Sequence, residues 1–466
     1  MASPVTLPPL PPQRRRTPFG AIMLILLGVL FLLVNTGALH ARQLFPIFAT
    51  YWPLLIIVWG LVKMYDYYEA RQAGYPPPGI GVGGVFSLVF LILFGTATST
   101  AYHHMDDVNW GQVREDIQIG DDDLGSWMGQ KYEFNESKEQ VFPANARLNV
   151  VCERGDIKVT TSSDDKMHVT INKLVYSSSQ DEASKVSQGL APEFKTEGSV
   201  VTIDASHSNG HSVGGSGRIN LQIALPRKAA VDLMTLRGNV EVNGRDGDVK
   251  AHNSHGSVTV EDINGNAEVH LRNGDFVAQN VKGDVSVEGR VSDTKITDVS
   301  GTVSLQGDYL GSVQLSKVGK TVRFKSSRTD MEFARLDGDF NMEQGDLRAN
   351  SLVGPFRLHT RSKDIHLEDI SGDINVENEN AEVELHPKSP LGNVTVANHK
   401  GSIRFVVPPN ANYQVDAHSS HGSVENDFDM KVQEEHGDAR TSGTIGKGGS
   451  RVELNNDRGE ITIRKS

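Results

Sequence analysis

Between Gly238 and Gly401 one short phrase, Gly-polar-apolar-any-apolar, recurs along the chain, most often at intervals of nine residues. It reads Gly247-Asp248-Val249-Lys250-Ala251, then Gly256-Ser257-Val258-Thr259-Val260, then Gly283-Asp284-Val285-Ser286-Val287, and later Gly372-Asp373-Ile374-Asn375-Val376. Alternation of apolar and polar residues is the period of a strand with one buried face, and Gly followed by Asp or Ser supplies a turn. A fixed short period sustained over this length specifies a repeat architecture, in which each unit buries its apolar side against its neighbours.

A second period sets how the units stack. Two places before each turn the residue alternates in character. In every second unit it is apolar: Ile263, Val281, Val299, Val318, Leu336, Leu352, Ile370. In the units between it is mostly polar: Ser254, Arg272, Arg290, Ser327, Glu343, Arg361, Glu379, with Arg245 and Tyr309 breaking the rule. The structural unit is therefore about 18 residues with two strands, one coil of a parallel β-solenoid whose apolar residue plugs one of two corners. An antiparallel sandwich spaces strands similarly but gives no reason for every second corner to be apolar. Strict alternation of faces puts Lys295, Gln314, Glu332, Arg348, His366 and Glu384 outward on one side. It puts Ser304, Arg323, Asn341, Arg357 and Asn375 outward on the other.

Ahead of the repeats lie three stretches apolar enough to cross a bilayer, Phe19–Leu39, Leu44–Met64 and Gly79–Thr98, each near the 20 residues that hydrocarbon demands. Arg14, Arg15 and Arg16 precede the first, and Lys63 and Arg71 separate the second from the third, whereas the first loop holds only Arg42. The positive-inside rule then puts the N-terminus in the cytoplasm and the repeats outside the cytoplasmic membrane. The whole chain carries −12, and its acidic surplus falls after the basic anchor. That charge argues against nucleic acid as a partner. The lone Cys152 excludes an internal disulfide framework and reads as a buried apolar thiol.

The expected organisation is a Pro/Arg-rich tail over 1–18, a three-helix anchor over 19–98, an acidic linker over 99–139, a β cap region over 140–235 and the solenoid with closing strands over 236–466. Within the cap, Ser177 to Ser187 reads as a short helix. The fold class is an all-β solenoid behind an N-terminal bundle of three transmembrane helices.

The first two spans contain Leu27-Gly28, Asn35-Thr36-Gly37, Trp52-Pro53-Leu54-Leu55-Ile56 and Gly60, a pattern that resembles the transmembrane module of LiaI/LiaF-type envelope-stress proteins. The repeats are entered through Leu221-Gln222-Ile223-Ala224-Leu225-Pro226 and Thr235-Leu236-Arg237-Gly238-Asn239-Val240. A second copy runs Ile403-Arg404-Phe405-Val406-Val407-Pro408 to His421-Gly422-Ser423-Val424. With the closing Gly459-Glu460-Ile461-Thr462-Ile463, this region resembles the bacterial candidate-adhesin β-helix family. The resemblances imply a β-helix on a membrane anchor, with adhesion or stress signalling as the associated roles.

Chemical signals are sparse. Gly79 to Gly84 satisfies a G-x-G-x-x-G pattern but opens an apolar span, so Gly79 and Gly83 read as a helix-packing pair, not a nucleotide loop. The turn residues Asp248, Asp275, Asp284, Asp339, Asp346 and Asp373 lack the spacing of calcium-binding repeats and read as turn formers. His103-His104 and His207 with His211 fit no zinc pattern. Arg272 and Arg290 stack one coil apart at the polar corner and are the candidate contacts for an anionic surface polymer. The sequence thus points to a non-enzymatic, membrane-anchored binding or scaffold module, with no cofactor or metal expected. Partners would be the bilayer, a surface polymer or envelope protein, and other membrane helices. A stress sensor acting through its spans is the alternative. A polysaccharide-cleaving enzyme would need clustered carboxylates on one face, and those are not evident.

Overall fold

The computed structural model describes residues 130–206 and 217–466, together with scattered helical positions between Pro53 and Tyr68. The first and third expected spans, Gly79, Gly83 and the four histidines at 103, 104, 207 and 211 lie outside the described residues. Of the second span, Pro53, Leu54, Ile56, Ile57, Gly60, Leu61 and Met64 are described, and they are helical. Among the described residues no helix is long and apolar enough to cross a membrane. The chain divides into two units, and the description concerns the larger, Tyr132–Val175 with Ser179–Ser466.

The 18-residue period is realised strand by strand. On one face Val249–Asn253 pairs in parallel with Ala267–Leu271, which pairs with Val285–Val291, and Val249 stands opposite Ala267. On the second face Val258–Ile263, Phe276–Val281, Thr294–Val299 and Val313–Val318 stack in the same way. Inward residues such as Val258, Val260, Phe276, Val285 and Val287 are buried completely or nearly so. Each such side chain contributes about 1.5–3 kcal/mol on leaving water.

One coil winds backwards, and the sequence period did not predict it. After Val322–Lys325 the chain turns at Ser326–Arg328 and returns as Thr329–Phe333, antiparallel to the strand it left. It crosses to the second face as Arg335–Met342, antiparallel to Val313–Val318, and a second hairpin leads into Asp346–Asn350. Parallel stacking then resumes, with Arg348 opposite His366. This corrects the expected faces. Glu332 lies opposite Arg323 and Arg357 on the first face, and Asn341 opposite Gln314 and Arg348 on the second. The two residues exchange sides because each hairpin keeps the chain on one face where simple coiling would switch it.

Both ends are threaded. Arg147–Arg154 lies between Val200–Ala205 and Ala230–Arg237, parallel to each, and Ile157–Thr161 lies between Gly217–Leu225 and Val240–Arg245. At the far end the closing strands Ser450–Arg458 and Ile461–Lys465 insert between earlier coils and Tyr413–His421 and Val424–Asn426. The strand Gln130–Val141 pairs with Lys166–Ser177 in a segment whose polar composition had suggested linker. The expected short helix is α1, Gln180–Gly189, capped by the Ser179 side chain accepting from the Glu182 amide. Phe194 and Phe428 pack on the core in the first and last parts of the chain, each under a lysine ammonium, Lys138 and Lys465.

Candidate functional site

The two corners are built on different principles. At the apolar corner Ile263, Val281, Val299, Val318, Leu336, Leu352 and Ile370 are all buried. The residue just before most of them is left-handed: Asp262, Asn280, Asp298, Lys317, Ser351 and Asp369, with φ of 53–56°. Asx residues tolerate that conformation best. The stacked side chains also join, Asn280 Nδ2 donating to Asp262 Oδ1 at 2.6 Å. Leu336, on the reversed coil, has no left-handed residue before it.

Arg245 occupies the plug position in register with Ile263 and is fully buried. Its guanidinium donates to the carbonyls of Gly244, Pro226, Thr160 and Leu225 and to Thr161 Oγ1. Burial lowers its pKa to about 10. The rule-breaking arginine is therefore a plug that caps carbonyls, each buried donor being satisfied. Tyr309, the other exception, is partly buried, with its hydroxyl donating to the Val287 carbonyl and its ring on Phe324 at 5.0 Å.

The polar corner turns through glycine. Gly238, Gly256 and Gly274 have φ of 130–156°, and a Cβ on any of them would lie 2.0–2.2 Å from the carbonyl oxygen of the glycine one coil earlier. No side chain fits there. Three residues before the glycine an inward polar group caps the turn. Asn253 Nδ2 donates to the Gly238 and Gly256 carbonyls at 2.9 and 3.0 Å, Asn456 to Gly401 at 2.7 Å, and Ser419 Oγ to Gly459 at 2.8 Å. Cys152 holds the same place in its coil, its thiol 3.6 Å from the Ile219 carbonyl and 3.9 Å from that of Gly155, and burial pushes its pKa up to about 12. At this corner turn residues join coil to coil, Asp156 Oδ1 accepting from the Asn239 amide, Asn239 from Ser257, Asp275 from Asp293 and Asp293 from Ser312. After the apolar plugs Asp248 Oδ1 accepts from the Asn266 amide, Asn266 from Asp284, and Asp284 from Thr302. Asp248, Asp275, Asp284 and Asp373 are thus occupied by backbone amides, and Asp346 by the Arg348 guanidinium.

Outward from this frame, the polar corner carries exposed charge. Leu271 stands opposite Gly289 and Arg290 opposite Asp308, so Ser254, Arg272, Arg290 and Asp308 follow one another along the corner. The line continues through the first hairpin as Ser327 and Arg328, then Arg361, Glu379, His399 and Asp457. Arg272 and Arg290, the sequence candidates, are exposed. Where the line passes His399, a shallow groove of about 480 Å³ opens around the small side chain of Ala397. His359, Glu377, His418 and Asn455 flank it, with Glu379 and Asp457 at the corner. His399 Nδ1 lies 3.0 Å from Asp457, and His359 Nδ1 lies 3.2 Å from Glu377.

On the second face a tighter cluster repeats the theme. His366 lies 2.9 Å from Glu384 and 3.0 Å from Glu368, and His386 lies 3.0 Å from Glu384. Burial works against the charged form of His366, but the hydrogen bonds to Glu368 and Glu384 outweigh it and raise its pKa. The His366 hydrogen bond lowers the pKa of Glu368. Burial opposes ionisation of Glu384, yet hydrogen bonds from His386 and His366 leave its pKa lowered. Among the described residues no group of three or more His, Cys, Asp or Glu is arranged to hold a metal ion. His366–Glu384 joins neighbouring coils, whereas His366–Glu368 and His386–Glu384 lie along single strands.

Two family models match the chain. The family model of the LiaF transmembrane domain matches residues 19–111. No curated protein matches the chain. Among solved structures, a candidate cell adhesion protein of Clostridium sporogenes is 11% identical, covering 72% of this chain and 100% of its own, at a TM-score of 0.17. A candidate adhesin of Bacteroides fragilis is 9% identical over 72% and 97%, at 0.19. A candidate lipid binding protein of Parabacteroides distasonis is 9% identical over 71% and 96%, at 0.18. Scores this low carry no argument. The family model described as Toastrack DUF4097 matches residues 145–464, well over half the chain, and the protein belongs to that family, with a LiaF-type membrane domain ahead of its toastrack.

Proposed function

We propose that this chain is a non-enzymatic, membrane-anchored module of the bacterial envelope that displays its toastrack outside the cytoplasmic membrane for binding or scaffolding. The observation behind this reading is the polar corner: exposed charged and polar residues held at one spacing on a rigid frame whose turns are capped from within and joined coil to coil. Repeated positions about 4.8 Å apart suit a polymer or an extended protein surface, where many weak contacts add. Arg272 and Arg290 would meet anionic groups on such a partner. Gly79 and Gly83 would serve helix association in the membrane.

The test is protease accessibility of an epitope tag after Ser466 in intact spheroplasts. Digestion from outside supports the reading, and protection until lysis overturns it. The match to a LiaF transmembrane domain favours a second reading, a stress regulator that contacts a membrane partner through its spans. A chain reduced to residues 1–104 that still captures a membrane kinase favours the regulator. Capture that needs the toastrack favours the scaffold.

A further inference from the structure

Along the polar corner the order of exposed charge has a symmetry of its own. Read one strand at a time it runs Arg272, Arg290, Asp308, Ser327, Arg328, Arg361, Glu379, His399. Reversed and laid beside itself, with the crossing point between Ser327 and Arg328, Asp308 meets Arg361, Arg290 meets Glu379 and Arg272 meets His399. A shift by one strand in either direction sets like charges together, Arg290 on Arg361 or Asp308 on Glu379. The first of these shifts also sets Arg272 on Glu379 and Asp308 on Arg328, so what distinguishes the central register is that it alone of the three has opposite pairs with no Arg–Arg or carboxylate–carboxylate contact.

Apart from His399, which lies 3.0 Å from Asp457, the charged side chains of this line form no ion pair with another described residue. All eight are exposed. Arg290 stands beside Asp308 in register, and Arg361 beside Glu379, yet no ion pair closes within either couple. The crossing point coincides with the hairpin Ser326–Arg328, whose antiparallel strands Val322–Lys325 and Thr329–Phe333 are themselves related by a local twofold. Lys400 and Arg458 lie one residue further round the corner, outside the line.

We propose that the partner of this corner is a second copy of the chain, docked antiparallel about a twofold axis at the Ser326–Arg328 hairpin. A self-complementary patch is what an isologous dimer requires. The paired line spans roughly 34 Å at about 4.8 Å per strand. So narrow a contact belongs with weak, charge-steered association, favoured when both copies are held in one membrane. The proposal rests on the reading of this corner as a binding surface and names the protein that the same arginines would meet.

Ser327→Cys in the full-length chain tests it, because Ser327 is exposed beside the axis and the chain's one cysteine, Cys152, is buried. Membranes carrying this variant are treated with a short thiol-to-thiol crosslinker, and reactivity toward a maleimide dye confirms that the new thiol is accessible. The expected result is a crosslinked dimer that is lost on adding Glu379→Arg or Arg290→Glu and returns in the Arg290→Glu/Glu379→Arg combination. No dimer from a thiol that accepts the dye overturns the proposal. So does a dimer that ignores the single charge reversals, or one that the combination does not restore.

Discussion

The apolar and polar corners of each coil do the same geometrical task, reversing direction between faces, and they divide the protein's needs between them. The apolar corner is the more regular: a buried aliphatic plug from Ile263 to Ile370, preceded everywhere but at Leu336 by a left-handed residue, which is Asp or Asn at four of the six positions. The polar corner is regular mainly inside, where glycine turns the chain in many coils and an Asn, Ser or Thr caps its carbonyl, although Leu271 and Gly289 take the cap position in two coils. Outside it varies from arginine to aspartate to histidine. Stability is concentrated where side chains point in, so the outer row of the polar corner is left to vary with whatever it contacts.

The sharpest way to break that contrast is to put a charge into the apolar corner. Val281→Asp buries a carboxylate among Ile263, Val299 and their neighbours with nothing to pair it. The expected loss is at least about 4 kcal/mol, enough to abolish cooperative melting of the purified chain followed by circular dichroism. The matching change at the polar corner, Arg290→Asp, should leave the melting curve in place, since that side chain is exposed and unpaired. If both variants melted alike, the corners would not differ in the way argued.

The inner layer of the polar corner comes next in size. Asn253→Leu removes the donor that serves the Gly238 and Gly256 carbonyls and leaves both buried without a partner. Each orphaned group costs about 1–3 kcal/mol. A Leu variant as stable as the wild type would mean that packing, with Leu271 already in the neighbouring coil, can replace the cap.

Much of this frame was legible in the sequence, and the reasons are local. The plug residues declare themselves because a buried corner tolerates only aliphatic side chains, and the 18-residue register follows from them. The reversed coil was hidden because the nine-residue step holds through Lys320, Thr329 and Gly338, whichever way the strand then runs. Its only trace is the seven-residue step from Gly338 to Gly345, the tight second hairpin. Threading of the end strands leaves no periodic mark, because pairing between Val394 and Val452 is set by the global fold and not by spacing. Arg272 and Arg290 could be found as neighbours. Asp308, Arg361 and Glu379 could not be joined to them without knowing how the hairpins carry the corner onward. Arg245 looked like an exception only because a buried arginine satisfied by carbonyls has no sequence signature.

A smaller effect separates turn chemistry from side-chain bonding at the apolar corner. Asn280 is left-handed at φ 54° and donates to Asp262. Asn280→Gly loses that bond without strain, whereas Asn280→Ala loses it and also meets the left-handed penalty, about 1–2 kcal/mol per residue. The Ala variant should therefore melt below the Gly variant. Equal melting temperatures would leave the left-handed position without energetic weight.

The smallest effect is set by pH and lies on the second face. His366 sits between Glu368 and Glu384, with His386 beside it, Arg348 in register on the preceding strand and Arg404 3.9 Å from Glu384. Its pKa is raised above the ordinary 6.5, so it binds its proton more tightly folded than unfolded. That contribution is complete below pH 6.5 and is lost as pH rises through the raised folded value. Glu368 and Glu384, whose pKa values are lowered from 4.5, act in the opposite sense: their contribution is present above 4.5 and is lost as pH falls through the lowered values. The cluster therefore joins its coils best between these limits, in mildly acid solution. Because His366 is more than a third exposed, the effect should stay below about 1 kcal/mol. His366→Asn should lower the melting temperature slightly at pH 6 and match the wild type at pH 9. A deficit that grows toward pH 9 would mean that the neutral ring packs these coils together, and that charge does not.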